Sequence, residues 1–211
     1  TSLKPRPLKS EAYGETYTAI GDFEDGSYVL LQLLFTNAGI GDQKAACRAT
    51  VVPRKGPPIS DSGRIDRDGW QFKSDTNRLE VKYCQIEAAE ARTLFRVNVA
   101  AATVEMELAR TARVTEPPGH ELKTDDGFYR AQILVPWSSA TLKITPRGQP
   151  TRTTKGKAYL DRTLSNVLLP DIADAWYRFR GLFGKEPVLV EIRYPPKKAS
   201  PVGWMWRGSE N

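Results

Sequence analysis

Apolar and polar residues alternate with a period of two along much of the chain. In 79–83, Leu79, Val81 and Tyr83 oppose Glu80 and Lys82; in 94–99, Phe95, Val97 and Val99 oppose Arg96 and Asn98. In 104–108, Val104, Met106 and Leu108 oppose Glu105 and Glu107, and the same rhythm recurs in 129–134, 141–145 and 188–194. Such alternation predicts half-buried antiparallel strands with one face on a core and one toward water.

Further strands are expected at 15–21, at 45–52 and in the long apolar run 27–36, which reads as covered on both faces. Asp22 to Gly26, between 15–21 and 27–36, is a hairpin turn ending in Asp-Gly. Arg54 to Ser62 carries Gly56, Pro57 and Pro58 in succession and reads as a loop. About ten short strands with turns between them predict an all-β sandwich or barrel with less than about one residue in eight helical. The exception is a short helical segment near 170–176, with Pro170 early and Asp171 near its N-terminus. Trp176-Tyr177-Arg178-Phe179-Arg180 could instead begin a strand.

Composition sharpens this picture. The chain has 211 residues, 40% of them apolar and 27% charged, which is the balance of a globular domain large enough to bury its own core. No apolar run approaches the length of a membrane-spanning helix; the longest, Tyr28 to Phe35, is interrupted by Gln32. The N-terminus lacks the basic-then-apolar layout of a secretion signal, so a cytoplasmic location is expected, with a leader cleaved beforehand as the alternative.

The net charge of +6 is concentrated in the second half, with 14 basic and 13 acidic residues in 1–100 against 17 and 12 in 101–211. Lys143, Arg147, Arg152, Lys155, Lys157 and Arg162 stand there against Asp161 alone. A basic stripe can be a nucleic-acid footprint, but this one lacks interleaved aromatics and any nucleic-acid-binding motif. It reads as a solvated strand edge, and neither a nucleic-acid nor a membrane-spanning partner is expected.

Candidate chemistry is sparse. Two Cys and one His leave too few soft ligands for a zinc site, so no metal is expected. Cys47 and Cys84 stand far apart in sequence and read as two small core residues, with a disulfide as the alternative. His120 falls in a Pro-Pro-Gly turn, and Asp66 and Asp68 read as solvated turn carboxylates. There is no glycine-rich phosphate loop and no nucleophile elbow, and no cofactor is expected.

Three features remain. Gln32 lies inside the most apolar strand, where a buried amide needs partners. Tyr159, Asp161 and Thr163 share one face of a candidate strand, and a phenol beside a carboxylate can bind or protonate a ligand. Trp176 could wall a pocket mouth, with Arg178 of the same parity available to a ligand acid or to Asp161. These six residues form the expected ligand site, with Tyr159 and Asp161 the catalytic candidates. Trp204 and Trp206 would form an apolar patch near the C-terminal end and are expected to cover a domain or subunit interface.

The stretch from Gly156 through Leu169-Pro170-Asp171-Ile172-Ala173-Asp174-Ala175-Trp176 to Gly181 resembles the AttH/CrtC-like and Svf1-like lipocalin-related proteins. So do the Gln-bearing strand Asp25 to Leu34 and the closing Gly203-Trp204-Met205-Trp206. The resemblance implies an antiparallel lipocalin-like (calycin) barrel over 15–206, usually the first of two in tandem, after an extension at 1–14 and before a tail at 207–211 that would begin a linker to a second domain; a single-domain member and a site completed by another subunit are the alternatives. It also implies an apolar or amphipathic small-molecule ligand held inside the barrel. The family includes natural-product hydratases, cyclases, pericyclases and isomerases, so an enzyme of that type acting on a polyene or terpenoid-like substrate is the alternative to a binder. A basic interaction module is a third reading. Where the family often has Asp-His this chain has Asp161-Arg162, which removes an acid–base histidine.

Overall fold

A computed structural model of the chain describes residues 2–38, 42–66, 69–196 and 200–208. Arg67 and Asp68 of the 66–68 turn lie outside them. Among the described residues the strands are β1 (Gly14–Phe23), β2 (Tyr28–Thr36), β3 (Lys44–Val52), β4 (Ile59–Ile65), β5 (Trp70–Lys73), β6 (Arg78–Val81), β7 (Cys84–Ala88), β8 (Thr93–Asn98), β9 (Ala102–Leu108), β10 (Glu121–Thr124), β11 (Gly127–Pro146), β12 (Arg152–Ser165), β13 (Ala175–Phe183), β14 (Glu186–Tyr194) and β15 (Val202–Arg207). Among the described residues the one α-helix is α1 (Leu169–Ile172), and strand makes up 62% of the chain.

Two expected boundaries shift. Ile59 to Ser62 lie in β4, because the edge of β3 captures them past the Pro58 break. The helical segment stops at Ile172, and Trp176 onward is strand, because pairing of β13 with β14 satisfies its backbone.

The strands form two sheets. The first runs β4-β3-β2-β1-β12-β11-β9-β8-β7-β6-β5, with β10 added beside β11, and curls into a nearly closed antiparallel barrel. The second is β13-β14-β15. Alternation sends Val29, Leu31, Leu33 and Phe35 of β2 inward with Val97, Val104, Met106, Leu142 and Leu160, and these side chains fill the barrel interior. Links across the interior draw β2 and β3 toward the strands at the far end of the sheet. The Phe35 ring meets the edge of Trp70 with centroids 5.0 Å apart, and Cys47 on β3 is joined to Cys84 on β7 by a disulfide, Cα to Cα 6.1 Å. Both cysteines are buried as core residues, and their thiols are bonded to each other.

One polar cluster sits within this apolar interior. Glu15 and Arg162 are paired at 2.6 Å, with side chains 0% and 3% exposed. Tyr17 and Tyr13 donate their hydroxyls to Glu15 at 2.9 and 3.0 Å, and the Arg6 backbone N–H adds a third bond at 2.7 Å. Arg162 donates to the Lys4 carbonyl and Tyr17 to the Leu3 carbonyl, which seats Leu3 in the core. Arg162 therefore leaves the surface basic stripe altogether.

Removing one member of a buried ion pair strands the other in low dielectric, which typically costs about 3–5 kcal/mol. Arg162→Met should lose about that much in urea unfolding, while Arg162→Met with Glu15→Gln should recover most of it. The disulfide closes a separation of 37 residues, so reduction or Cys47→Ser with Cys84→Ser should lower stability by about 4 kcal/mol at most in the same assay.

Candidate functional site

The outer face of the barrel is where the predicted chemistry gathers. On β12, Ala158, Leu160 and Leu164 belong to the interior cluster, so Tyr159, Asp161 and Thr163 point the other way. They share one face of the strand as expected, but it is the outer face, beneath the second sheet, and not the barrel interior where the family resemblance places a ligand. Cross-strand register sets Gln32, Thr18, Asp161 and Ile133 in one row over β2, β1, β12 and β11, with Leu30, Ile20 and Tyr159 in the next. Two register shifts flank Val135, and past them Trp137 joins Ile133, Ile20 and Tyr159 in an outward apolar cluster.

The second sheet covers this face with its own alternate residues. Trp176, Arg178 and Arg180 of β13 share parity with Leu189 and Glu191 of β14 and with Trp204 and Trp206 of β15. Leu189, Trp204 and Trp206 pack on the Trp137–Tyr159 cluster, so both C-terminal tryptophans are half-buried against their own barrel. Trp204 also lies over Gly119, whose positive φ of 66° suits glycine and where a Cβ would come within 2.5 Å of the indole. His120 follows in that turn, its Nδ1 3.0 Å from the Pro117 carbonyl.

Between the sheets lies a charge network. Arg180 donates through Nε to Asp161 Oδ2 at 2.7 Å, and its Nη2 reaches the same oxygen at 2.7 Å. Arg178 donates to Glu191 at 2.7 Å and to the Tyr129 hydroxyl, with Asp161 further off at 3.8 Å. Arg180 also lies over the Tyr159 ring at 5.8 Å. The primary partner of Asp161 is thus Arg180, a residue the sequence reading passed over, while Arg178 belongs mainly to Glu191 and Tyr129.

Burial works against charge on both arginines, but Tyr129, Asp161 and Glu191 around Arg178, and Asp161 beside Arg180, outweigh it and hold them protonated. Burial raises the Tyr159 hydroxyl well above the usual phenol range, and Asp161 adds to it. Burial likewise pushes Tyr129 up to about 12 against the lowering pull of Arg178.

Five buried polar atoms between the sheets have no hydrogen-bond partner among the described residues: Trp137 Nε1, Tyr159 OH, Asp161 Oδ1, Trp176 Nε1 and Arg193 Nε. Trp137 and Tyr159 are neighbours, with ring centroids 6.3 Å apart. Trp137 and Arg180 line an open cleft of about 950 Å³ between barrel and second sheet, together with Asp22, Lys157, Phe179 and Leu182. Gln32 makes one long bond to Thr18 at 3.4 Å on the same face. Trp176 does not join the cleft; it stacks on Tyr129 at 4.6 Å beside Val167 and Ile172. Among the described residues no set of His, Cys, Asp or Glu gathers as metal ligands, and no helix is long and apolar enough to cross a membrane.

The chain is a lipocalin-like antiparallel barrel protein. Among solved structures it shares its fold with an AttH-type protein from Nitrosomonas europaea, at 12% identity and a TM-score of 0.67 over 98% of this chain and 71% of that one. It also matches kievitone hydratase from Nectria haematococca, at 11% identity and a TM-score of 0.63, and CghA with Sch210972, at 11% and 0.65. The match takes in 98% of this chain in both, but only 64% and 63% of those proteins, less than two thirds of their length. No family model matches the sequence, and no curated protein matches it. At such identities the likeness establishes the fold.

Tyr13, Tyr17, Tyr129 and Tyr159 are buried, four of the eight tyrosines. A phenol whose folded pKa is raised resists ionisation that the unfolded chain undergoes near 10. Its contribution to stability is therefore intact below pH 10 and is lost as pH rises through the folded value, about 12 for Tyr129. Absorbance at 295 nm should titrate in two phases, the second coinciding with loss of circular dichroism. A single phase near pH 10 in the folded protein would contradict this burial.

Proposed function

We propose that the protein binds an amphipathic small molecule in the cleft between the barrel's outer face and the β13–β15 sheet. The observation that carries this reading is the cleft itself, lined by Trp137, Leu182 and Arg180, with Trp137 Nε1, buried and without a hydrogen-bond partner among the described residues, in its wall. Buried polar atoms are satisfied in most native structures, and small-molecule sites combine apolar walls with a few such groups. The barrel interior is already filled by side chains, which favours the outer cleft over a ligand held inside.

In this reading Leu182 and Trp137 form the apolar wall, with Phe179 only at the rim, and Arg180 joins the cleft to Asp161 and the Tyr159 ring. The other members of the expected site play different parts. Gln32 and Thr163 extend the polar face, while Trp176 and Arg178 brace the second sheet. A disulfide persists best in an oxidising compartment, so the Cys47–Cys84 bond favours such a setting over the reducing cytoplasm.

A catalytic reading, as a cyclase, isomerase or hydratase, draws support from two fold neighbours, a hydratase and CghA with Sch210972. Its chemistry would have to come from orientation in the cleft and from Tyr159 as a protonated hydrogen-bond donor.

N-phenyl-1-naphthylamine, an uncharged probe that brightens on leaving water, should bind the wild-type protein. Trp137→Ala and Leu182→Asp should each weaken it about tenfold, or about 1.4 kcal/mol. Phe183→Asp, on the opposite face of β13, should leave affinity unchanged. Equal loss in all three, or none in the first two, would place the probe elsewhere.

A further inference from the structure

We infer that the outward face of the β13–β15 sheet is an interface, packing face to face on the same face of a second copy of this chain. It stands apart from the binding cleft, which lies on the sheet's other side.

Exposed apolar residues are concentrated on this sheet. Of the thirteen large apolar side chains exposed among the described residues, eight lie in its three strands. Register sets Tyr177, Ile192 and Gly203 in one outward row and Phe179, Val190 and Met205 in the next. Neither row contains a charge. Tyr194 and Phe183 extend the face at its two ends. Its six large exposed side chains are 38% to 73% open, which at about 200 Å² for a whole side chain leaves about 650 Å² of mostly apolar surface. The largest apolar patch on a typical monomer is about 300–600 Å², and a stable interface takes about 800 Å² from each partner. The apolar side chains alone come near that figure.

Three properties select a second copy as the occupant. The partner has to present an uncharged, apolar, pleated surface of matching extent. Among the described residues this face is the one that does so, because the other five exposed apolar residues, Tyr28, Val52, Val114, Leu168 and Leu169, are divided among β2, β3, the 109–120 segment and the start of α1. Second, no like charges oppose self-association at its centre: Arg178, Arg180 and Glu191 face the barrel, and Arg207 at one end is paired with Glu186. A nucleic acid would need basic groups there. Third, a two-fold contact needs a self-complementary surface. Phe179 and Met205 project beside Gly203, where the nearest side chain to an added Cβ is Ile192 at 3.4 Å. A projecting side chain of one copy can seat over Gly203 of the other, as facing sheets interdigitate at a spacing of about 10 Å.

Sedimentation equilibrium on the full chain tests this. The wild type should be a dimer of 23.6 kDa chains at about 50 μM, with a dissociation constant of about 10 μM or lower. Tyr177→Glu and Met205→Glu should each weaken the dimer at least about a hundredfold, because every dimer then buries two unpaired carboxylates. Both side chains are more than half exposed in the single chain, so circular dichroism should be unchanged; if one variant unfolds, the other carries the test. Val52→Glu, at an exposed apolar position on β3, should remain dimeric, and its dissociation would move the interface elsewhere and overturn the inference. Among the described residues β15 pairs with β14 alone, so its free edge offers a second route to a dimer. A dimer that survives Tyr177→Glu but not Met205→Glu is joined through that edge, and one that survives both uses another surface; either result overturns face-to-face packing. A wild-type monomer at about 50 μM overturns it outright. If that monomer floats with phosphatidylcholine vesicles, the face belongs to a lipid surface instead.

Discussion

The Asp161–Arg180 ion pair joins the two sheets of this protein, and the arrangement of the site follows from it. Asp161 projects from the outer surface of the barrel; Arg180 comes from β13, in the separate three-stranded sheet. A carboxylate on the outside of a barrel would ordinarily be solvated. Here the second sheet buries it, and a hydrogen bond from Arg180 Nε with the ion-pair contact from Nη2 to Oδ2 compensates that burial. Oδ1 is left over, and so are the neighbouring Tyr159 hydroxyl and Trp137 indole N–H. The pairing that docks the sheet thus creates the unsatisfied polar corner.

The strand that carries Asp161 serves two environments. Its even-numbered residues supply Leu160 and Arg162 to the interior, and its odd-numbered ones supply Tyr159 and Asp161 to the sheet interface. Each side holds a charge pair with tyrosines around it, and the two differ in how completely they are satisfied. Inside, both oxygens of Glu15 are bonded by Tyr13, Tyr17, Arg162 and the Arg6 backbone. Outside, Asp161 keeps an acceptor in reserve. Arg162 Nε is left without a hydrogen-bond partner among the described residues on the inner side, so the difference between the two lies in their carboxylates.

The second sheet is amphipathic in an unusual sense. Its barrel-facing side carries the arginines and Glu191, while its outward side presents Tyr177 at 63%, Phe179 at 56%, Phe183 at 73% and Met205 at 58% exposure. The charged groups are therefore indoors, beside Leu189, Trp204 and Trp206, while an apolar row lies outdoors, unlike the usual strand pattern. That inversion explains why β13 was hard to read: Trp176-Tyr177-Arg178-Phe179-Arg180 alternates well, but the parity that looks like a solvated face is the buried one.

Local alternation is a property of the chain alone. It was enough to predict an antiparallel all-β sandwich or barrel, the shared face of Tyr159, Asp161 and Thr163, and the scarcity of helix, because side chains two apart on a strand must point the same way whatever lies opposite. Which way is inward is not a local property. Only the tertiary structure sets Leu160 against Leu31 and Leu142 inside, and so turns Tyr159 and Asp161 outward onto Trp137 and Arg180. Partner choice is equally non-local. Arg162 is adjacent to Asp161 in sequence, yet the pleat sends it to Glu15 on the other face, while Arg180 arrives from another sheet. Cys47 and Cys84 meet because the barrel's curvature brings β3 to β7, a distance that sequence spacing cannot encode.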